Sequence, residues 1–436
     1  MREVTLVYVI TLSLVGFFGC KDISDIKDQD IPFKKISSSY SGIEFSNTIT
    51  PNLENYENLF DYDYFYNGSG VGIADINNDG LQDILFTANQ KNNKLYLNKG
   101  NLKFEDITSN SGINENKGWA SGITFVDINA DGWLDIYISQ GGPYNPSSRE
   151  NVLLINNKDL TFTERSKEYG LNDGGISTQS AFFDYDNDGD LDCIVMNENQ
   201  FFGFDPISFF KKIEDKKILM ENSSHLYEQI DGKFINVTEK AGILSPTFGL
   251  GLCITDLNDD NWPDIYIAND YYLKDAMYIN NKNGTFSNNI KEATKQISFY
   301  GMGVDIEDIN HDNLSDILVL DMASSDHVRS KTLMASMDTE SFDLITNKLD
   351  QHYQYMFNSL QLNIGNNKYH NIAHQLNIAK TDWSWAGLIF DFDHDGNEDI
   401  FVTNGYRKYA LDNDSRIRID KTKKDYNNKA VSYTHL

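Results

Sequence analysis

The nonapeptide DINNDGLQD at residues 75–83 decides the fold, because it recurs: DINADGWLD begins at Asp127, DYDNDGDLD at Asp184, DLNDDNWPD at Asp256, DINHDNLSD at Asp308 and DFDHDGNED at Asp391. The six starts are separated by 52, 57, 72, 52 and 83 residues. Every copy carries Asp at positions one, five and nine, Asn or Asp at position three, and an apolar or aromatic residue at position two. In a tight loop alternate side chains turn to one side, so the oxygens of positions one, three and five converge. A hard cation such as calcium takes six to eight oxygens at about 2.3–2.6 Å, and magnesium asks for a tighter octahedron that usually keeps waters. The spacing therefore favours calcium.

The expected ligand sets follow residue by residue. They are Asp75, Asn77, Asp79, the carbonyl of Leu81 and Asp83; Asp127, Asn129, Asp131, the carbonyl of Trp133 and Asp135; and Asp184, Asp186, Asp188, Asp190 (through its carbonyl) and Asp192. The later three loops offer Asp256, Asn258, Asp260, Trp262 (carbonyl) and Asp264; Asp308, Asn310, Asp312, Leu314 (carbonyl) and Asp316; and Asp391, Asp393, Asp395, Asn397 (carbonyl) and Asp399. The Asp at position nine closes the cage, with one or both carboxylate oxygens. Position six is Gly in four copies and Asn at Asn261 and Asn313, residues that tolerate a positive φ. An EF-hand begins the same way but needs Glu at position twelve and flanking helices. Here position twelve is Phe86, Ile138, Val195, Ile267, Val319 or Val402, each inside a strand-like run. That alternative fails in all six copies.

The flanks read as β structure. Small-residue-rich strands such as GSGVGIADI, ASGITFVDI and GLGLCITDL lead into the loops, where Gly and Ser permit close approach of neighbouring backbones. Behind the exit strands lie segments such as KLYLNKGNLKFEDIT and AMYINNKNGTFSNN, each reading as two strands joined by an Asn/Gly turn. Four strands per repeat of roughly 50 residues is the arithmetic of a propeller blade. The fold class expected is all-β, a propeller of four-stranded antiparallel blades with six recognisable repeats.

Composition agrees. Lys and Arg number 37 against 65 Asp and Glu, a formal charge of -28, which six divalent cations would bring to -16. Such a surface repels nucleic-acid phosphates, and no basic patch offsets it, so a nucleic-acid partner is not expected. The cysteines Cys20, Cys193 and Cys253 fit neither a disulfide framework nor a zinc motif, and the last two read as buried thiols.

The apolar run Val4 to Phe18, ending at Gly19-Cys20, reads as a signal-peptide core. It resembles a bacterial lipobox, in which Cys20 becomes the lipidated N-terminus, although Phe17 and Phe18 depart from the usual residues; an ordinary signal peptide is the alternative. The expected organisation is a signal peptide over 1–20, a tether over 21–41, the propeller over 42–410 and a tail over 411–436 whose final VSYTHL resembles sequencing-adapter read-through, so that the chain reads as truncated. A secreted, outer-membrane or cell-surface lipoprotein follows, touching membrane only through that anchor.

The loops, the YFYNGSGVGIADINNDG-type lead-ins and the LYLNKGNLKFEDIT-type tails resemble FG-GAP (VCBS-type) repeats, the blades of integrin α-chain propellers. TQSAFFDYDNDGDLD and TDWSWAGLIFDFDHDG are similar in style to Bacteroidetes surface lipoproteins related to the cartilage acidic protein family, which often end in an ASPIC/UnbV-type domain. The resemblance implies a calcium-binding propeller, usually of seven blades, with roles in adhesion or ligand capture.

Two stretches break the rhythm, Phe201 to Met220 and Met322 to Phe357, with helical spacing over Phe209–Leu219 and Glu340–Leu349. Such insertions either build a binding face or elaborate packing. Tyr62, Tyr64, Phe65 and Tyr66 before the first loop read as core aromatics rather than a sugar platform. No nucleophile elbow, phosphate loop, H-E-x-x-H or Rossmann fingerprint is present. The function expected is a non-catalytic, calcium-stabilised surface module that binds a glycan or protein. The alternative is an extracellular calcium-dependent polysaccharide lyase, for which Lys211, Lys212 and His352 are the candidate bases.

Overall fold

A computed structural model describes residues 33–58, 61–113, 118–143, 146–201, 203–332 and 339–405, with Arg418, Lys421 and Thr422 beyond. Cys20, the signal-peptide core and nearly all of the expected tail lie outside the described residues. The chain divides into Met1–Ile36 and Ser37–Leu436, and the propeller lies in the second unit.

Five four-stranded antiparallel sheets follow one another, each in simple meander order. Blade one comprises Val71–Ala74, Asp83–Phe86, Lys94–Asn98 and Phe104–Asp106. Blade two comprises Trp119–Val126, Asp135–Gly141, Val152–Asn156 and Phe162–Glu164. Blade three runs through Ser177–Phe183, Asp192–Asn197, His225–Ile230 and Lys233–Asn236. Blade four runs through Gly249–Thr255, Asp264–Asn269, Ala276–Asn280 and Phe286–Asn288. Blade five has Val304–Glu307, Asp316–Val319, Ser359–Asn363 and Tyr369–Asn371. In the sixth, Asp382–Phe390 pairs with Asp399–Asn404 on one side and with the short Met322–Ala323 on the other. The repeat count read from the sequence matches this architecture, but the described residues form six blades rather than the seven that the resemblance implied.

The apolar faces between blades form the core. Ile194, Met196, Leu226, Ile265, Ile267 and Tyr278 fill the junction of blades three and four, and equivalent clusters fill the others. At roughly 25 cal/mol per Å² of apolar surface, burial of such faces is the main stabilising term. Innermost strands approach closely, as the lead-in composition predicted. A Cβ added to Gly122 would lie 2.5 Å from the Thr178 carbonyl oxygen of blade three. Hydroxyls stitch the same strands together, Ser121 Oγ donating to the Ser177 carbonyl at 2.7 Å and Thr178 Oγ1 to the Gly249 carbonyl at 3.0 Å. The outermost blades keep apolar side chains in solvent, Val71 and Ile73 on blade one and Leu388 and Phe390 on blade six.

The segment before blade one packs as core. Tyr62, Tyr64 and Phe65 are buried against Trp119 and Ile176, at the ends of the inner strands away from the Asp-rich loops. Tyr62 donates its hydroxyl to Glu198 Oε2 at 3.2 Å and Tyr64 to Asp270 Oδ2 at 2.6 Å, so this one segment reaches blades two, three and four. Cys193 is a buried free thiol; Cys253 is free and half-buried rather than fully buried, with its Sγ 3.7 Å from the Val304 carbonyl oxygen of the next blade.

The helical spacing over Phe209–Leu219 resolves into two helices, Pro206–Lys212 and Lys216–Glu221. The break falls where the Asp215 carboxylate accepts from the Lys217 and Ile218 amides and starts a new helix. Glu340–Leu349 forms a short helix, Thr339–Asp343, that widens into a π turn over Leu344–Lys348. Both insertions meet in one aromatic cluster, where Phe209 and Ile345 pack with Phe248, Tyr272 and Phe299.

Candidate metal loops

All six nonapeptides connect the first and second strands of their blades, so one end of the sheet array carries every loop. Their internal geometry repeats. The position-one Asp accepts the amide of position five through Oδ1 and that of position six through Oδ2. In loop one these are Asp79 to Asp75 at 3.2 Å and Gly80 to Asp75 at 2.7 Å; in loop six they are Asp395 to Asp391 at 3.0 Å and Gly396 to Asp391 at 2.9 Å. The position-five carboxylate accepts the amide of position seven, at 2.8 Å for Leu81 and 3.0 Å for Trp133. Asp190, Trp262, Leu314 and Asn397 repeat that bond at 3.1, 3.0, 3.0 and 2.8 Å. These bonds orient the carboxylates of positions one and five within each loop. In loop three single oxygens of Asp184, Asp186 and Asp188 lie within 4.8 Å of one another, as do those of Asp391, Asp393 and Asp395 in loop six. In three of the four loops where position three is Asn, its side chain stays beside position five: Asn77, Asn258 and Asn310 donate to Asp79, Asp260 and Asp312 at 3.0 Å each.

Position nine has a structural role as well. Asp83, Asp135, Asp192, Asp264 and Asp316 are buried beneath their loops. Oδ2 accepts the position-two amide, from Ile76, Ile128, Tyr185, Leu257 and Ile309 at 3.1, 3.3, 3.0, 2.9 and 3.2 Å. Oδ1 accepts from the third strand, from Asn98, Asn156, Gln229, Asn280 and Asn363 at 2.7, 2.7, 2.8, 2.7 and 2.7 Å. With each oxygen accepting one amide, as at position one, this carboxylate braces the loop against the blade and keeps a second lone-pair site on each oxygen for an ion. Asp399 keeps the position-two bond, from Phe392 at 3.1 Å. Burial pushes Asp135 and Asp316 up to about 6 and Asp192 and Asp264 up to about 7; the backbone donors oppose the rise, and neighbouring loop carboxylates add to it.

Two features escaped the sequence reading. Position four takes a left-handed φ in every copy: Asn78, Ala130, Asn187, Asp259, His311 and His394 lie between 54° and 61°. It also bridges loops, since Asn78 Nδ2 donates to the Gly132 carbonyl at 3.0 Å and His311 Nε2 lies 3.1 Å from the Gly396 carbonyl oxygen. His311 is exposed and tied to the next blade. The second feature is the Asn ending the third strand. Asn156 Nδ2 donates to Ile76 O at 2.9 Å and Asn280 Nδ2 to Tyr185 O at 2.7 Å, each reaching the preceding blade's loop. The signal was present in LYLNKG, LLINNK, MYINNK and LQLNIG.

The donors in these loops suit a hard cation. They are all oxygens, and buried acceptors remain unpaired: Asp186 Oδ1 and Asp190 Oδ1 in loop three and Asn258 Oδ1 in loop four lack a hydrogen-bond partner. The loops also differ in charge. Position three is Asp only in loops three and six, whereas Lys158 and Lys282 place ammonium groups 3.3 Å from Asp131 and Asp260 in loops two and four.

The candidate lyase bases are separated by their surroundings. His352 is buried, with Nε2 3.0 Å from Thr294 Oγ1, and burial lowers it to about 4. Lys212 Nζ lies over the Phe201 and Phe204 rings, 5.1 and 5.2 Å from their centroids, and Lys211 is exposed.

Blade order and strand register define a β-propeller whose blades share one Asp-rich loop. The profile of the FG-GAP-like repeat matches residues 75–138 and 256–319. Among curated proteins, cartilage acidic protein 1 of Xenopus tropicalis is 28% identical over 130 residues, which is 30% of this chain and 20% of that protein. The Mus musculus protein of the same name is 23% identical over 222 residues, 51% of this chain and 32% of that protein. The chain thus aligns with a third or less of these relatives. Among solved structures, the V. cholerae biofilm matrix protein Bap1 is similar at 12% identity and a TM-score of 0.32, over 59% of this chain and 35% of that one. The Photorhabdus luminescens Tc holotoxin pore gives 13% and 0.30, over 70% and 12%.

Proposed function

We propose that this propeller is a non-catalytic binding module, stabilised by calcium in its six loops, that captures a glycan or protein partner outside the cell. The observation that carries the metal reading is the convergence of acceptor-only oxygens in loop three, where two buried carboxylate oxygens lack a partner. Like charges gathered in one loop repel, so ion binding is coupled to folding. Per-site affinity is expected on the order of 10⁻⁴–10⁻³ M, as in other extracellular modules. The signal-peptide core and Gly19-Cys20 support export and a lipid anchor at Cys20. Among the described residues no helix is long and apolar enough to cross a membrane.

Thermal melts with millimolar calcium and with chelator test the reading. The midpoint should rise steeply with calcium; superimposed curves would reject it. The binding role is tested separately by screening calcium-saturated protein on a glycan array and against extracellular matrix proteins, where the expected result is saturable capture of at least one of them.

A further inference from the structure

Side chains tie several of the Asp-rich loops to the loop of an adjacent blade. Loops one and two share two such ties. Asn78 Nδ2 donates to the Gly132 carbonyl at 3.0 Å, and Asn156 Nδ2, from the third strand of blade two, donates to the Ile76 carbonyl at 2.9 Å. The N–H of Asn156 also holds Asp135 at 2.7 Å, so one residue touches position nine of loop two and position two of loop one. Asn280 repeats this between loops four and three, on Asp264 and the Tyr185 carbonyl at 2.7 Å each. In blade five the tie passes through two side chains. The Asn363 N–H holds Asp316 at 2.7 Å, and its Nδ2 donates to the Tyr369 hydroxyl at 3.2 Å. That hydroxyl donates to the Leu257 carbonyl of loop four, also at 3.2 Å. His311 Nε2 links loop five to the Gly396 carbonyl of loop six at 3.1 Å. Asn156, Asn280, Asn363 and Tyr369 are buried, where water competes little for these bonds.

The junction of blades two and three lacks both kinds of tie. Position four of loop two is Ala130, which has no side-chain donor. Gln229 stands where Asn156 and Asn280 stand in their blades; its N–H holds Asp192 at 2.8 Å, but its side chain turns to Asp190 of its own loop. Among the described residues no hydrogen bond joins loop two to blade three.

A cation that orders one loop fixes the carbonyl on which a neighbour's side chain rests. Through that side chain it steadies the neighbour's position-nine carboxylate. The second cation then meets a loop already partly ordered, which is positive cooperativity without a change of shape.

We propose that calcium fills the loops in two cooperative blocks, loops one and two as one and loops three to six as the other, with the junction of blades two and three as the boundary. The inference rests on the calcium reading and adds which sites respond to one another.

The test titrates the full-length chain with calcium well below its melting temperature. Hydrogen exchange of each loop's amides then gives a calcium midpoint for every loop. Asp260→Ala, which removes a ligand from loop four, should raise the loop-three midpoint by about fivefold or more and leave loops one and two unmoved. Asp131→Ala in loop two should do the same to loop one and leave loop three unmoved. Asn280→Ser keeps its N–H on Asp264 and every loop ligand. It should raise the loop-three midpoint by itself, and adding Asp260→Ala should shift that midpoint no further. Ala130→Asn with Gln229→Asn should carry the effect of Asp131→Ala across to loop three. If Asp260→Ala folds poorly, Asp131→Ala tests the first block and Asn280→Ser the second. A neighbour's midpoint that ignores these changes, or six midpoints that move together, would overturn the blocks. Calcium protection that appears in each loop independently rejects the coupling alone, whereas exchange that ignores calcium throughout rejects the calcium reading beneath it.

Discussion

Asn156 donates its backbone N–H to Asp135 Oδ1 at 2.7 Å while its side-chain amide reaches the Ile76 carbonyl at 2.9 Å and the Leu134 carbonyl at 3.0 Å. One residue at a strand end thus anchors its own loop and the loop of the blade before it. Asn280 repeats the arrangement between blades four and three.

Asn156→Ala should therefore be costly. It leaves two carbonyls without their donor in a buried site, a loss on the order of 1–3 kcal/mol. Chemical denaturation of the calcium-saturated protein measures it. A change in midpoint no larger than that of an exposed Asn157→Ala control would contradict the assigned role.

Charge differences among the loops should rank their affinities. Loops three and six, with Asp at position three, should fill first; loops two and four, shadowed by Lys158 and Lys282, should fill last. Because these lysines are partly exposed, Lys158→Ala should tighten loop two by only about two- to fivefold. Asp131→Ala should remove a ligand there and lower the melting midpoint in calcium far more than in chelator. Terbium luminescence sensitised by Trp133 in loop two reads both changes.

His225 gives a pH dependence. Its Nδ1 lies 2.5 Å from Asp173 Oδ2 and its Nε2 2.8 Å from the Met220 carbonyl oxygen, two acceptors that only an imidazolium can satisfy together. Tyr227 also donates to Asp173, at 2.7 Å. Burial opposes the charge, but Asp173 prevails and raises the His225 pKa above its usual 6.5; burial likewise opposes ionisation of Asp173, and His225 prevails in holding it below the usual 3.8. The His225 contribution is fully present below about 6.5 and is lost as pH rises through the raised value. The Asp173 contribution is lost as pH falls below its usual range. With calcium saturating, stability should fall on the alkaline side, and His225→Gln should flatten that limb. An unchanged alkaline slope in the variant would contradict the clamp, which pins the end of the Lys216–Glu221 helix to blade three.

Gly122→Ala should strain the junction of blades two and three, since the new Cβ would press on the Thr178 carbonyl. About 1–3 kcal/mol is expected, typical of overpacking. Gly68→Ala, with open space around it, isolates the cost of a positive φ and should be milder. Equal losses at the two positions would argue against close blade contact.

The sequence announced the loops and strands because their signals are local. Asp75 to Asp79 converge through bonds spanning at most five residues, and the apolar position twelve separated a strand from an EF-hand helix. What stayed hidden depends on distant partners. The brace at Asp316 needs the amide of Asn363, and the burial of Tyr64 needs Asp270. The left-handed position four was missed because Asn, Asp and His suit it without requiring it, while Ala130 gives no hint at all. The meeting of the two insertions could not be read, since helical spacing fixes neither where a helix lies nor, as the Asp215 cap shows, where it breaks.

Equilibrium dialysis against radioactive calcium, with stoichiometry read at millimolar free ion, bears most directly on the cation-bound propeller. Close to six ions per chain are expected, falling to five in a protein carrying Asp184→Ala and Asp188→Ala together. A wild-type value of one or none would contradict the account.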